Sequence, residues 1–243
     1  MADAPYLARL DHTKTDVARR VNAVMSAVSL GVAALLAGGL IVAVSSGMGA
    51  ITIVIASLGL VAGAVVAVLT GRRRRALRLL VGGDDIALRI DRDGIRLAGA
   101  PPIAWDAVVF VGVLDDRERT GRLRRLPLSG ALARATVRAG SPTLLCEIGV
   151  RDGVEFRHAF GGAGGADRVT LFDEFDGSRR GLIPLMLDAV MDDATAHQSA
   201  QVLVREAERR GIPARAFNRV FEYFDWKGPM IDRRWPVERG SRA

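Results

Sequence analysis

The sequence predicts a membrane-spanning α-hairpin followed by an α+β cytoplasmic domain, and three observations carry that prediction. Fifty residues, Val21 to Thr70, pass without one Asp, Glu, Lys, Arg or His. The stretch breaks once, at Ser45-Ser46-Gly47-Met48-Gly49, into two apolar runs. Beyond it, short segments alternate between apolar and polar residues around Asp-Gly turns, and helical periodicity returns near the end of the chain.

Each apolar run holds about 20 residues or slightly more, and at ~1.5 Å rise per residue it covers roughly the 30 Å hydrocarbon core of a bilayer. Buried helices of a soluble core are shorter and interrupted by polar residues. A cleaved signal peptide has a shorter apolar region and no second span directly after it. Inside the runs the polar groups are Asn22, several Ser and Thr52. No ionisable group lies at membrane depth, which argues against a channel or transporter acting alone. Gly59-x-x-x-Gly63 in the second run, and Gly31, Gly38 and Gly39 in the first, allow close helix approach, either within the hairpin or against a membrane-protein partner or a second copy.

The net charge of +7 and a pI near 10.7 call for an acidic partner. Position favours the anionic leaflet of a membrane, because Arg72, Arg73, Arg74 and Arg75 follow the second run at once. Arg9, Lys14, Arg19 and Arg20 precede the first run, and the connecting link is uncharged. Cationic flanks stay in the cytoplasm, so the expectation is a multi-pass inner-membrane protein with both termini cytoplasmic. Cys146 is the single cysteine, so no intramolecular disulfide forms. The chain divides into an exposed N-terminal arm (1–20), which becomes helical near Thr15 with Thr15 or Asp16 as cap, the hairpin (21–70), a basic juxtamembrane linker (71–83), a cytoplasmic domain (84–211) and an aromatic and basic tail (212–243).

In the domain, Ala76 to Val81 prolong the second helix and Gly82-Gly83 end it. Ile86, Leu88 and Ile90 alternate as in a half-buried strand, Asp93-Gly94 supplies a turn, and Ile95 to Leu97 return. After Pro101-Pro102, Ile103-Ala104-Trp105-Asp106 leads into the apolar strand Val108 to Leu114. Thr143 to Val150, Asp152-Gly153 and Val154 to Phe160 read as a second hairpin, with His158 on its core-facing side.

Two spans followed by Asp93-Gly94-Ile95 and Ile103-Ala104-Trp105-Asp106-Ala107-Val108 resemble the bacterial pleckstrin-homology-like (PH-like) domains of small membrane proteins, over about 80 to 110 residues from Asp84. The resemblance implies a partly open barrel of about seven antiparallel strands closed at one end by a C-terminal helix. The long Arg117 to Ser141 segment and the tail depart from that pattern. The turn Asp91-Arg92-Asp93-Gly94 stands where eukaryotic relatives carry a basic phosphoinositide-binding loop, so headgroup binding there is not implied.

Arg117, Arg119, Arg122, Arg124 and Arg125, with Arg134 and Arg138 beyond them, form a solvated loop, a lipid contact to which each cation adds about 1 kcal/mol, or a contact with a protein or nucleic acid. The segment lacks the aromatics that stack on bases, so no nucleic-acid partner is expected. Gly161 to Gly165 lacks the Gly-Lys-Ser/Thr ending of a phosphate loop. The acids Asp173, Glu174 and Asp176 lack the alternating oxygen ligands of a cation loop. No Ser, His and acid, and no His/Cys pair, stand at catalytic or zinc spacing, so the expectation is no enzyme, no metal and no cofactor.

Gly181 to Asp193 and Thr195 to Arg210 read as one helix or two, the second amphipathic and ending at Gly211. Pro213 then opens a short helix stopped by Lys227-Gly228-Pro229. Its aromatics Phe217, Phe221, Phe224 and Trp226, with Trp235 beyond, either pack back on the domain, dock a partner protein or anchor at the lipid interface. Together these readings describe a non-enzymatic accessory or scaffold subunit of a membrane complex. The alternative is a module that responds to anionic lipid, and third stands a membrane-tethered enzyme.

Overall fold

The computed structural model describes residues 4–47, 49–80, 85–117, 143–161, 168–175 and 177–232, with the side chains of 72–80, 174 and 175 outside that description. Gly82-Gly83, Arg119, Arg122, Arg124, Arg125, Arg134, Arg138 and Trp235 therefore lie outside the described residues, as do the side chains of Arg72, Arg73, Arg74 and Arg75.

Two long helices, α1 (His12–Ser45) and α2 (Ala50–Leu80), precede an α+β region. Both are long and apolar enough to cross a membrane. Their aliphatic side chains stay exposed, Leu35 at 79% and Ile51 at 77%, which distinguishes them from helices of a soluble core. The residues turned inward recur at alternating steps of three and four, the period of a supercoiled helix pair. On α1 these are Ser26, Ser29, Ala33, Leu36, Leu40 and Ala43. On α2 they are Ile53, Ala56, Leu60, Gly63, Ala67 and Thr70, with Gly59 beside Leu60 also turned to α1.

The N-terminal arm is not an exposed segment. Tyr6–Arg9 is a strand, β1, and the helix starts three residues earlier than expected because Asp11 caps it, its carboxylate accepting from Lys14 N at 2.9 Å. β1 pairs antiparallel with β2 (Ile86–Ile90), which pairs with β3 (Gly94–Leu97), which pairs with β4 (Ile103–Ala104). The expected Asp93-Gly94 hairpin is present, and the Asp91 carboxylate accepts from the N–H groups of both turn residues at 3.1 Å.

β4 has only two residues, after which the 3-10 turn Trp105–Ala107 redirects the chain into a second sheet. Trp105 fixes this crossing, donating from Nε1 to Asp91 O at 2.9 Å and carrying the Arg210 guanidinium 4.4 Å from its ring centre. The second sheet contains β5 (Val108–Asp115), β6 (Leu144–Val150), β7 (Thr170–Phe175), β8 (Ser178–Met186) and β9 (Ala214–Phe217), ordered β7-β8-β6-β5-β9. The two sheets do not close into the expected partly open barrel. The first ends in the short β4, and the last strand of the second, β9, lies parallel to β5 rather than antiparallel.

Three further segments differ from the sequence reading. Gly153–Ala159 is a helix, α3, not the second arm of a hairpin. Val154, Phe156 and Phe160 fit either period, and the helix prevails because Phe156 and Phe160, four apart, both reach the core while Gly153 approaches the backbone of Gly181. His158 consequently points to solvent rather than to the core. Gly181 to Met186 is strand, followed by a single turn, α4 (Leu187–Val190), because β6 needs a partner on its free side and Pro184 sits beyond Leu182, where β7 stops covering β8. Pro213 precedes β9 rather than a helix; the last helix, α6 (Val220–Ile231), begins later and runs through Lys227-Gly228-Pro229.

The amphipathic helix α5 (Asp193–Arg209) buries Ala196, Ala200, Leu203 and Ala207 and ends at Gly211 with φ +70°. It covers one face of the second sheet with the first sheet's core, while α6 covers the other. Burial on both faces explains why Val108 to Leu114 reads as an almost unbroken apolar run.

Candidate functional site

Three arrangements distinguish this molecule: the hairpin seam, the base where the hairpin joins the domain, and the far helix α6. The seam is narrow where the glycines sit. A Cβ built on Gly59 would lie 2.9 Å from Leu36 Cδ1, and one on Gly63 would lie 3.3 Å from Ala33 Cβ and 3.5 Å from Ser29 O. These glycines therefore face α1, whereas Gly31, Gly38 and Gly39 have nothing within 4 Å. Asn22 and Thr70 are buried at the end of the seam next to the domain. Asn22 Nδ2 donates to Ala18 O at 2.8 Å and Thr70 Oγ1 to Val66 O at 2.8 Å.

At the base, the chain entering the hairpin is zipped to the chain leaving it. Tyr6 pairs with Ile90, Leu7 with Arg89 and Ala8 with Leu88, and Leu10 N donates to Asp85 O at 2.8 Å. The first turn of α1 is then tied to the other sheet's end. Asp11 N donates to Val190 O at 2.8 Å, and Lys14 Nζ donates to Met191 O at 3.0 Å and pairs with Asp193 at 2.7 Å. Tyr6 Oη lies 3.1 Å from Ser199 Oγ on α5. Sequence reading missed this base, because the only local signal in the arm was the alternation of Tyr6, Ala8 and Leu10, which is too short to separate from coil.

Of the arginines expected at lipid, Arg117 is described. It donates to Asp115 from Nε at 2.8 Å and from Nη2, and its Nη2 lies 3.0 Å from His197 Nδ1. That hydrogen bond from Arg117 holds the Asp115 carboxyl below its ordinary range. Asp115 and His197 line an open groove of about 420 Å³ between α5 and the sheet, together with Val113, Leu144, Ala200 and Val204.

The tail aromatics separate into two sets. Phe217 is buried, and Trp226, half-buried, packs edge-on to Phe110 with centroids 5.6 Å apart. Phe221 and Phe224 remain on the surface, 78% and 44% exposed. Between them Tyr223 is buried, and Gly112 opposite makes room for it: a Cβ there would lie 2.5 Å from the Tyr223 ring. Tyr223 and Lys227 both donate to the buried carboxylate of Glu147. Burial, and then the charge of Glu147, push the Tyr223 phenol far up. Nothing in the sequence linked Glu147 to Lys227, eighty residues on.

Cys146 is fully buried beside this cluster, and burial pushes its thiol up, away from reactivity. Among the described residues no group of three or more His, Cys, Asp or Glu could hold a metal ion. Asp173 is exposed on β7, and Asp176 lies outside the described residues. No family model, no curated protein and no solved structure matches this chain.

Proposed function

We propose that this chain is a non-enzymatic, two-span protein of the bacterial inner membrane that holds an α+β interaction domain on the cytoplasmic side, as an accessory or scaffold subunit of a membrane complex. The observation that carries the reading is the pairing of β1 with β2. Because the segment before α1 and the segment after α2 share one sheet, the two ends of the hairpin lie on the same side of any bilayer it crosses. The basic flanks, Arg9, Lys14, Arg19 and Arg20 before the spans and Arg72 to Arg75 after them, support a cytoplasmic position for that side. The exposed aliphatic surface of the hairpin faces lipid, and neither helix carries an ionisable side chain between Val21 and Thr70, which suits an anchor rather than a conduction path.

Labelling of single cysteines with a membrane-impermeant maleimide tests the arrangement, since buried Cys146 stays silent. In intact cells Ser46→Cys is labelled, while Ala4→Cys and Asp152→Cys react only after lysis. The opposite pattern, or equal labelling at all three, overturns it. Co-purification after mild detergent extraction tests the role in a complex, and recovery of the chain always alone and monomeric removes it.

A further inference from the structure

The strand registers fix which end of the second sheet adjoins the hairpin. Met186 pairs with Leu145, Leu145 with Leu114, and Leu114 with Phe217, so these four residues form one row across β8, β6, β5 and β9. Met186 leads directly into α4, whose Val190 accepts from Asp11 at the start of α1. The row is therefore the hairpin side of the sheet, and Val150 and Gly181 mark the far side.

The helix α6 starts from this row. Phe217 ends β9 and α6 then runs back across the sheet, with Tyr223 at the level of Gly112 and Glu147, and Trp226 at Phe110. Its first turn, with Arg219 and Phe221, is the part nearest the hairpin side, and Phe224 follows on the same helix face. Both Phe rings are exposed although the neighbouring Tyr223 and Trp226 are packed. Arg219 pairs with Glu222 at 3.0 Å, and Asp225 is exposed one turn beyond Phe221, so this helix face is not itself basic. The cationic charge of the same end comes from elsewhere. Arg19 and Arg20 are exposed on α1 just before the first span, and in the sequence Arg72 to Arg75 follow the second span at once.

Ten residues of helix separate Asp11 from Val21, about 15 Å at the usual rise. The headgroup layer takes up roughly 5–7 Å of that on each side of the hydrocarbon. The end of the domain is thus held within a short distance of the lipid surface.

We propose that this end of the domain rests on the anionic cytoplasmic leaflet, with Phe221 and Phe224 of α6 as apolar contacts that enter the headgroup layer. The inference rests on the membrane reading of the hairpin. A bilayer is the occupant that the hairpin itself brings to this row. It also accounts for two aromatic rings that stay exposed on the helix that starts from the hairpin side.

Site-directed nitroxide labelling of the full chain tests it, in nanodiscs of phosphatidylcholine mixed with phosphatidylglycerol, comparing collision with oxygen and with a water-soluble nickel chelate. Labels at Phe221→Cys and Phe224→Cys are expected to meet oxygen readily and the nickel chelate several-fold less than a label at Asp152→Cys on the far side. A label at Leu35→Cys in the first span serves as the reference for lipid. If 221 and 224 match the water-exposed 152 while 35 reports lipid, this inference fails and the hairpin reading stands. If 35 also matches 152, the hairpin reading fails. Protection of 221 and 224 from both reagents marks a protein interface, either a partner or a second copy, and likewise overturns lipid contact.

Discussion

Lys227 of α6 donates to Glu147 of β6, and Tyr223, one helical turn earlier, donates to the same carboxylate oxygen. Both charged side chains are nearly enclosed, 6% and 9% exposed, and the ammonium also lies 4.5 Å from the centre of the Tyr223 ring. In such surroundings the attraction roughly offsets the loss of hydration, whereas a single charge left behind has no compensation. Lys227→Met is therefore expected to destabilise the fold by about 3–5 kcal/mol. Glu147→Gln combined with Lys227→Met should recover most of that loss, since the amide oxygen still accepts from Tyr223. Denaturation of the two single variants and the double variant gives the coupling directly. Equal losses in Lys227→Met and in the double variant would show that the charge pair is not what matters.

Tyr223 gives this cluster an alkaline signature. Burial and the Glu147 charge raise its phenol above the ordinary value of about 10, so the folded state keeps a proton that the unfolded chain gives up. The sign follows: the stabilisation is complete below pH ~10 and falls as the pH rises above it. Tyr223→Phe should be less stable at neutral pH, through the lost hydrogen bond, yet show a flatter decline at high pH. Urea midpoints measured across the alkaline range check this, and parallel declines in the two proteins would contradict it.

Asp188 holds the hairpin side of the second sheet together. Its Oδ2 accepts from Thr143 N and Thr143 Oγ1, both at 2.6 Å, and from Leu144 N at 3.0 Å. Asp188→Ala would strand two backbone donors at the start of β6, at a cost of about 3 kcal/mol. The damage should be local to the start of β6, visible as faster hydrogen exchange at Leu144 and Leu145 than at Ile148. Uniform acceleration along β6 would mean that Asp188 acts on the whole sheet instead.

Much of this architecture was legible because local pattern and tertiary demand coincide. The charge-free run, the Asp93-Gly94 turn, the apolar β5 and the stripe of Ala200, Leu203 and Ala207 each specify one conformation by themselves. The misread segments were those in which two periods fit the same residues. Val154 to Phe160 satisfies strand and helix alike, and only the space at Gly153 against Gly181 decides for helix. Gly181 to Met186 became strand because β6 required a neighbour, a demand invisible in the segment itself. The hairpin base and the Glu147–Lys227 pair depend on residues 75 or more apart, which no local pattern encodes. The aromatic tail was half legible: its composition marked it as special, but only packing separates the buried Phe217 and the half-buried Trp226 from the exposed Phe221 and Phe224.

The glycines of the hairpin allow a comparison within one helix pair. Gly63 faces Ala33 and the carbonyl of Ser29, so any side chain there must push α1 away along the seam. Gly38 has no neighbour within 4 Å and points away from α2. Gly63→Leu is therefore expected to loosen the hairpin, lowering the temperature at which α1 and α2 separate in detergent micelles, with a loss of about 1–3 kcal/mol typical of overpacking. Gly38→Leu adds only apolar surface to the exposed outer side of α1 and gains helix propensity of about 1 kcal/mol. It should leave the hairpin as stable as before, or more so. Distance measurements between labels on the two helices, taken with and without each substitution, separate the cases. If Gly38→Leu proves the more damaging, the outer face of α1 is itself a helix-packing surface, and a second copy or another membrane protein occupies it.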